Sequence, residues 1–296
     1  MLKLNVKNTT RGQLLGMIFV LPSLAFIIIF GIIPIISSIG YSFTDWDGMT
    51  ASTFVGFENY INAFKDDVNR KAIGNTFIIS FSVVSLNLAI GFLLANFLSG
   101  IKGRLAEAGK VILFIPHILS FAAVGVLFSF IYSSTDLGLL NKIISIFGIE
   151  QFPWLGSVYT AMPAVILSHV WKGFGFDMLI YYAGILSIPV NLLEAADIDG
   201  ATRWQKIWNV KIPSLKPLTQ LLVVLGFVNT MLTFTMVMFL TPEGGPSKST
   251  EVVATWFYKQ SFTFWEFGYG TALAIILALL VLIVTVVLRK IFKEEV

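Results

Sequence analysis

Phe267–Leu288 reads FGYGTALAIILALLVLIVTVVL, a run without one acidic or basic side chain, and Arg289, Lys290 and Lys293 follow it directly. A hydrocarbon core about 30 Å thick is crossed by roughly 20 helical residues, because backbone groups in lipid must be paired within their own segment. Working outward, four more uncharged runs meet that length: Leu14–Ile39, Ile73–Leu98, Val111–Thr135 (which includes His117) and Pro217–Pro242. A sixth, Tyr159–Leu186, carries His169, Lys172 and Asp177. The chain of 296 residues is 56% apolar and 12% charged, against about 25% charged in a soluble domain. The expectation is an all-α, polytopic membrane protein with six transmembrane helices, residues 1–296 forming one domain.

Six spans put both termini on one side of the membrane, and the excess of Lys and Arg marks the cytoplasmic side. One set of segments holds Lys3, Lys7, Arg11, Lys102, Arg104, Lys110, Arg203, Lys206, Lys211, Lys216, Arg289, Lys290 and Lys293. The alternate set holds only Lys65, Arg70, Lys71, Lys142, Lys248 and Lys259. The first set is therefore expected in the cytoplasm, with the chain multi-pass and both termini on that side. No cleavable signal peptide is expected, since the first apolar run is too long for an h-region. Outside, Asp45–Arg70 reads as a long ordered connection, Leu137–Ile149 as a short amphipathic piece lying at the interface, and Thr241–Pro246 as a turn. Trp154, Trp256 and Trp265 lie near span ends, where belt residues collect.

The connection between the fourth and fifth spans, residues 188–216, is too long and too apolar for an ordinary loop. It reads IPVNLLEAADIDGATRWQKIWNVKIPSLK. Leu192–Ile198 favours helix, Gly200 can end it with positive φ, and Thr202 with Gln205 matches a capping box that starts a second helix. Trp204 and Trp208 share one face of that second helix, and Pro213 and Pro217 are expected to end it. The pattern fits a knob for a partner's groove, or an amphipathic hinge against lipid. Here the chain resembles the permease subunits of binding-protein-dependent ABC importers. Glu194-Ala195-Ala196, Gly200 and Val210-Lys211-Ile212-Pro213 are similar to their EAA motif. Trp171–Phe176, Leu186–Pro189, Leu240–Pro246 and Phe54–Tyr60 resemble the carbohydrate branch, of maltose and glycerol-phosphate type.

The resemblance implies a type I ABC importer transmembrane domain. It implies a second homologous permease, two cytoplasmic ATPase subunits docked on the coupling loop, and an extracytoplasmic binding protein that delivers a carbohydrate. Glu194, Ala195, Ala196, Asp199, Gly200 and Pro213 would serve ATPase coupling. Lys172, Gly173, Phe176, Gly226, Asn229, Thr230 and Thr233 would line the substrate pathway. Lys172 stands near the middle of its span, where a charge must face protein or water; a cavity wall and a bond to a neighbouring helix are both open to it. Asp177, about 140° further round the helix, is badly placed to pair with it.

Other classes find less support. No GxxxxGK[ST] stretch occurs, so ATP and Mg²⁺ would belong to the ATPase partners, with no cofactor on this chain. No catalytic constellation and no metal site are expected: cysteine is absent, and the two histidines form no HExxH motif. His117, after Pro116, reads as structural. The net charge of +3 is no nucleic-acid footprint, because the basic residues sit at the ends of apolar runs. A secondary transporter or channel is the alternative, but it would need no cytoplasmic docking loop and would more often show internal repeats.

Overall fold

A computed structural model describes residues 10–135 and 138–293, with side chains from residue 17 except those of Ile18 and Lys293. Lys3, Lys7, Leu137 and the side chains of Arg11 and Lys293 lie outside the described residues. The first rod consists of α1 (Thr10–Ile27), a π turn (Ile28–Ile32) and α2 (Ile33–Tyr41). Pro34 explains the π turn. It has no N–H for the Phe30 carbonyl and crowds it, and the ladder relaxes so that Ile33 N–H reaches Ile28 O instead. A loop with one isolated bridge, Thr44 to Phe54, leads to α3 (Glu58–Lys65). Then comes α4 (Asp67–Ser99), begun by Asp66, whose Oδ1 accepts the Val68 N–H at 2.8 Å.

Next follow α5 (Arg104–Ile118), α6 (Phe121–Ile131), α7 (Leu139–Ser145) and the 30-residue α8 (Val158–Ser187). The connecting element is α9 (Val190–Ile198), α10 (Arg203–Lys206), a second π turn (Ile207–Lys211) and α11 (Ile212–Ser214). The chain closes with α12 (Lys216–Met231), α13 (Thr235–Leu240), α14 (Val253–Phe262) and α15 (Phe267–Lys293). The described residues form no strand, as the all-α reading expected.

Three helices are singly long and apolar enough to cross a bilayer: Phe19–Tyr41, α4 and α15. The third expected span, Val111–Thr135, is instead broken into α5 and α6, bent by 96°. Pro116 withdraws the bond to the Ile112 carbonyl, the helix ends at Ile118, and Leu119 and Ser120 turn extended, with Ser120 Oγ capping Ala123 N–H. The fifth, Pro217–Pro242, breaks between α12 and α13, where Phe234 leaves the helical region at φ −131°, ψ −63°. The hydroxyls there bond locally or across to α8: Thr230 Oγ1 turns back to Gly226 O at 2.7 Å. Pro213 does not end the loop's second helix either. It sits at the second position of α11, two residues past the π turn, and the kink falls at Leu215. The arrangement repeats that of Pro34, and for the same reason.

The bundle is organised around α4 and α8, which pack along most of their length, with α5 and α12 against them. Glycines permit the close approach. A Cβ on Gly91 would stand 2.8 Å from Asp177 Cβ and 2.9 Å from Met178 N; one on Gly175 would stand 2.2 Å from the Leu113 carbonyl oxygen. At the end remote from α9, Asp66 Oδ2 accepts both Trp256 Nε1–H at 2.8 Å and the Tyr269 hydroxyl at 2.9 Å, joining α4, α14 and α15. Trp256 is thus a buried bonding residue and not a belt residue. Nearby, fully buried Glu251 is paired with Lys259 at 2.7 Å and accepts from Thr255 Oγ1.

Gly175→Ala should cost about 1–3 kcal/mol through overpacking against a backbone carbonyl. Gly74→Ala, with open space around its Cβ, should be neutral or slightly stabilising. Tryptophan fluorescence melting of the solubilised chain reads both, and equal midpoints would contradict this packing.

Candidate functional site

The two breaks and the middle of α8 enclose a cavity of about 310 Å³. Val83, Val84 and Asn87 come from α4, His117 and Phe121 from either side of the α5–α6 break, and Leu222, Leu225, Gly226, Asn229 and Thr230 from α12. From α8 come His169, Lys172, Gly173, Phe176 and Asp177, spaced three or four apart and hence on one face. Six of the seven expected pathway residues, Lys172, Gly173, Phe176, Gly226, Asn229 and Thr230, therefore line a single space. Thr233 does not. It lies buried in the α12–α13 break, bonded to His169.

The polar side chains of α8 complete the broken helices. The last carbonyls of a helix have no partner within it, and Lys172 Nζ donates to His117 O, near the end of α5, at 2.9 Å. The same ammonium lies 4.4 Å from the centroid of the Phe121 ring, at the start of α6. One turn earlier, His169 Nδ1 donates to Val165 O at 3.0 Å, so the neutral ring accepts the Thr233 hydroxyl at Nε2, 2.7 Å away. Both openings left for Lys172 hold together: it walls the cavity and bonds a neighbouring helix. Lys172 and Asp177 form no ion pair, as their angular separation foretold.

Asn87, His117, Phe121, His169 and Asp177 were not among the expected site residues. His169 and Asp177 could have been found, since both fall on the face of Lys172 and Gly173. Asn87 could not, because only the approach of α4 to Gly173 brings it in: a Cβ there would stand 2.2 Å from Asn87 Nδ2. His117 stacks on Phe176 with centroids 5.0 Å apart, and its Nδ1 has no partner.

At the end of α8, Ile188 and Pro189 are extended and turn the chain by 71° into α9. Glu194, Ala195 and Ala196 lie on α9, none of whose residues is buried. Asp199 ends it, Gly200 follows at φ +73°, and Thr202 and Gln205 form the full capping box. Asp197 pairs with Lys206 across the bend. Trp204 and Trp208 meet edge to face at 5.8 Å and stay exposed, as do Val190, Leu192 and Ile198. Lys211 bonds Asn96 Oδ1 of α4 at 2.6 Å. Burial first, then the Lys206 ammonium, push its pKa below the ordinary lysine value. No group of histidines and carboxylates suited to a metal occurs among the described residues.

A double-mutant cycle on His169→Leu and Thr233→Val should give a coupling of roughly 0.6–1.7 kcal/mol, the range of bonds between helices in a membrane. SDS titration of the purified chain measures it. Strict additivity would show that this bond does not hold the break.

Comparison with known proteins agrees with this architecture. The chain is 33% identical over 272 residues to the diacetylchitobiose uptake system permease protein of Streptomyces coelicolor, covering 88% of this chain and 77% of that one. It is 30% identical to the multiple sugar-binding transport system permease protein of Streptococcus mutans, covering 94% and 95%. Among solved structures, it superposes with a TM-score of 0.85 on a chain of a bacterial ABC transporter involved in the import of the acidic polysaccharide alginate, at 25% identity and 96% coverage of each. The family model described as binding-protein-dependent transport system inner membrane component matches residues 13–294. With the fold of a type I ABC importer permease, the chain belongs to that family of membrane-embedded transport components.

Proposed function

We propose that the chain is one of two homologous permease subunits of an ATP-driven carbohydrate importer in the bacterial inner membrane. An external binding protein delivers the sugar, and two cytoplasmic ATPase subunits dock on α9–α11. This chain itself carries no hydrolytic step. The observation that carries the reading is the continuity of α8: its middle lines the cavity, and its end passes through two extended residues into exposed α9. A displacement of α9 is thereby delivered to the cavity wall. The sugar names of the relatives support the cargo class. The distribution of Lys and Arg supports a cytoplasmic position for α9–α11 and both termini.

In this mechanism the protein does no bond chemistry. ATP binding and sugar delivery each favour one of two conformations, and their effects meet in the shared equilibrium. Glu194 offers a carboxylate, and Ala195 and Ala196 let a partner surface come close. Gly200 fixes the bend, since its φ of +73° strains any side chain. Asp199 and Pro213 delimit the docking element. In the cavity, Phe176 offers an apolar face to a sugar's C–H surface, Asn229 and Thr230 polar edges, and Gly173 and Gly226 room. Thr233 acts one step away, through His169. The uncovered face of Phe19–Tyr41, none of it buried within the chain, suits lipid and the second permease.

Two variant sets test this. Glu194→Ala and Gly200→Val should leave the chain in the membrane but weaken ATPase co-purification or uncouple hydrolysis from uptake, at least tenfold in one readout. Normal attachment and stimulation in both would reduce the loop to a surface hinge. Asn229→Leu should abolish uptake with ATPase attachment intact; unchanged uptake would remove α12 from the pathway.

A further inference from the structure

The cavity's polar groups are unequally occupied. Lys172 carries the only positive charge among its lining residues, and that ammonium already has the His117 carbonyl and the Phe121 ring as partners. Thr230 is bonded to its own helix. Asp177 is different. Its carboxyl group lines the same space and makes no hydrogen bond or ion pair with any described residue. Its Cβ lies against Gly91 of α4. The amides of Asn87 on α4 and Asn229 on α12 are likewise without partners, and Asn87 Oδ1 is buried and unsatisfied. Three side chains without partners thus line one space from three helices, and for the buried Asn87 Oδ1 the missing bond is costly.

We propose that Asp177 is the charge filter of the cavity: with the Asn87 and Asn229 amides it receives the hydroxyl groups of an uncharged sugar and turns away acidic ones. The inference rests on the carbohydrate reading above and narrows it. A carboxylate accepts from O–H donors and has none to give, while an amide does both, so this trio matches the donor-rich rim of a neutral saccharide. A uronate or sulfonate would bring a second negative charge beside Asp177, and in a confined, weakly screened space like charges repel strongly. The Lys172 ammonium is held by the His117 carbonyl and the Phe121 ring and forms no ion pair with Asp177, so the carboxyl group is the one left free to meet a ligand. The chain would thereby differ in cargo from the transporter of acidic alginate whose fold it shares.

The test is competitive uptake in cells that express the whole transporter with its own partners. The probes are labelled neutral oligosaccharides of N-acetylglucosamine, glucose and arabinose, and labelled oligouronates of the same lengths. Uptake is normalised to the amount of chain in the membrane. Wild type should take up at least one neutral probe and prefer it at least tenfold to every uronate. Asp177→Asn should shrink that preference to threefold or less. Uronate preferred by wild type overturns the proposal without any variant being made, and so does a preference unchanged in Asp177→Asn. Should wild type take up neither class, the carbohydrate reading fails and this inference with it. Charge preference lost while neutral uptake persists separates Asp177's role from the general integrity of the pathway.

Discussion

A backbone carbonyl or amide inside a bilayer has no water to turn to, so a helix that breaks there must find partners in the protein. Two expected spans break, at the α5–α6 and α12–α13 junctions, and one turn of α8 reaches both, at the first through a backbone carbonyl and at the second through a side-chain hydroxyl. Lys172 takes the freed carbonyl of His117 and the face of Phe121; His169 takes the hydroxyl of Thr233. The rest of the interior depends on that arrangement. The two short pieces beyond the breaks, α6 and α13, pack on each other so closely that Gly125 has no room for a side chain against Phe239. The cavity lies between α4, α8 and α12 and is closed on one side by the α5–α6 break.

The two ends of the bundle are built for different tasks. Away from α9, long-range polar bonds interlock the connections. Asp66 binds Trp256 and Tyr269, Asn75 donates to Glu251 O at 2.8 Å, and buried Glu251 holds Lys259. A buried ion pair adds little net stability, but it strongly penalises arrangements that leave either charge alone. At the α9 end the polar bonds are few and the apolar side chains Val190, Leu192, Ile198, Trp204 and Trp208 stand uncovered. One end is closed upon itself, and the other keeps its apolar side chains uncovered.

Much of this was legible in the sequence, and what was not has identifiable causes. Uncharged runs announce membrane helices because lipid imposes one length, and α15 begins at the very residue where its run begins. The bend at Gly200 and the capping box at Thr202 and Gln205 were readable because both are local chemistry. The breaks at Leu119 and Phe234 were not, because hydropathy does not register them: the residues on either side are as apolar as those of an unbroken span. Pro116 was visible, yet Pro22 and Pro163 lie inside helices that continue, so proline alone could not decide. Lys172, Gly173 and Phe176 came from the resemblance to the carbohydrate permeases, and their spacing agrees with one face of α8, whereas Asn87 and the bonded state of Thr233 arise only when helices distant in sequence meet. Trp256 was misread because its partner, Asp66, lies 190 residues away.

That last bond also concerns the order in which the chain is made. Asp66 emerges early, but its partners Trp256 and Tyr269 follow 190 and 203 residues later. At a synthesis rate of about 5–20 residues per second they arrive roughly 10–40 s afterwards. Throughout that interval the carboxylate at the head of α4 stands without the indole and phenol that will cover it. A nascent chain halted before α14 would thus display an open acidic group at the head of α4, and only a finished one conceals it. The same carboxylate that ties the first half of the fold to the last is, during synthesis, a marker of incompleteness.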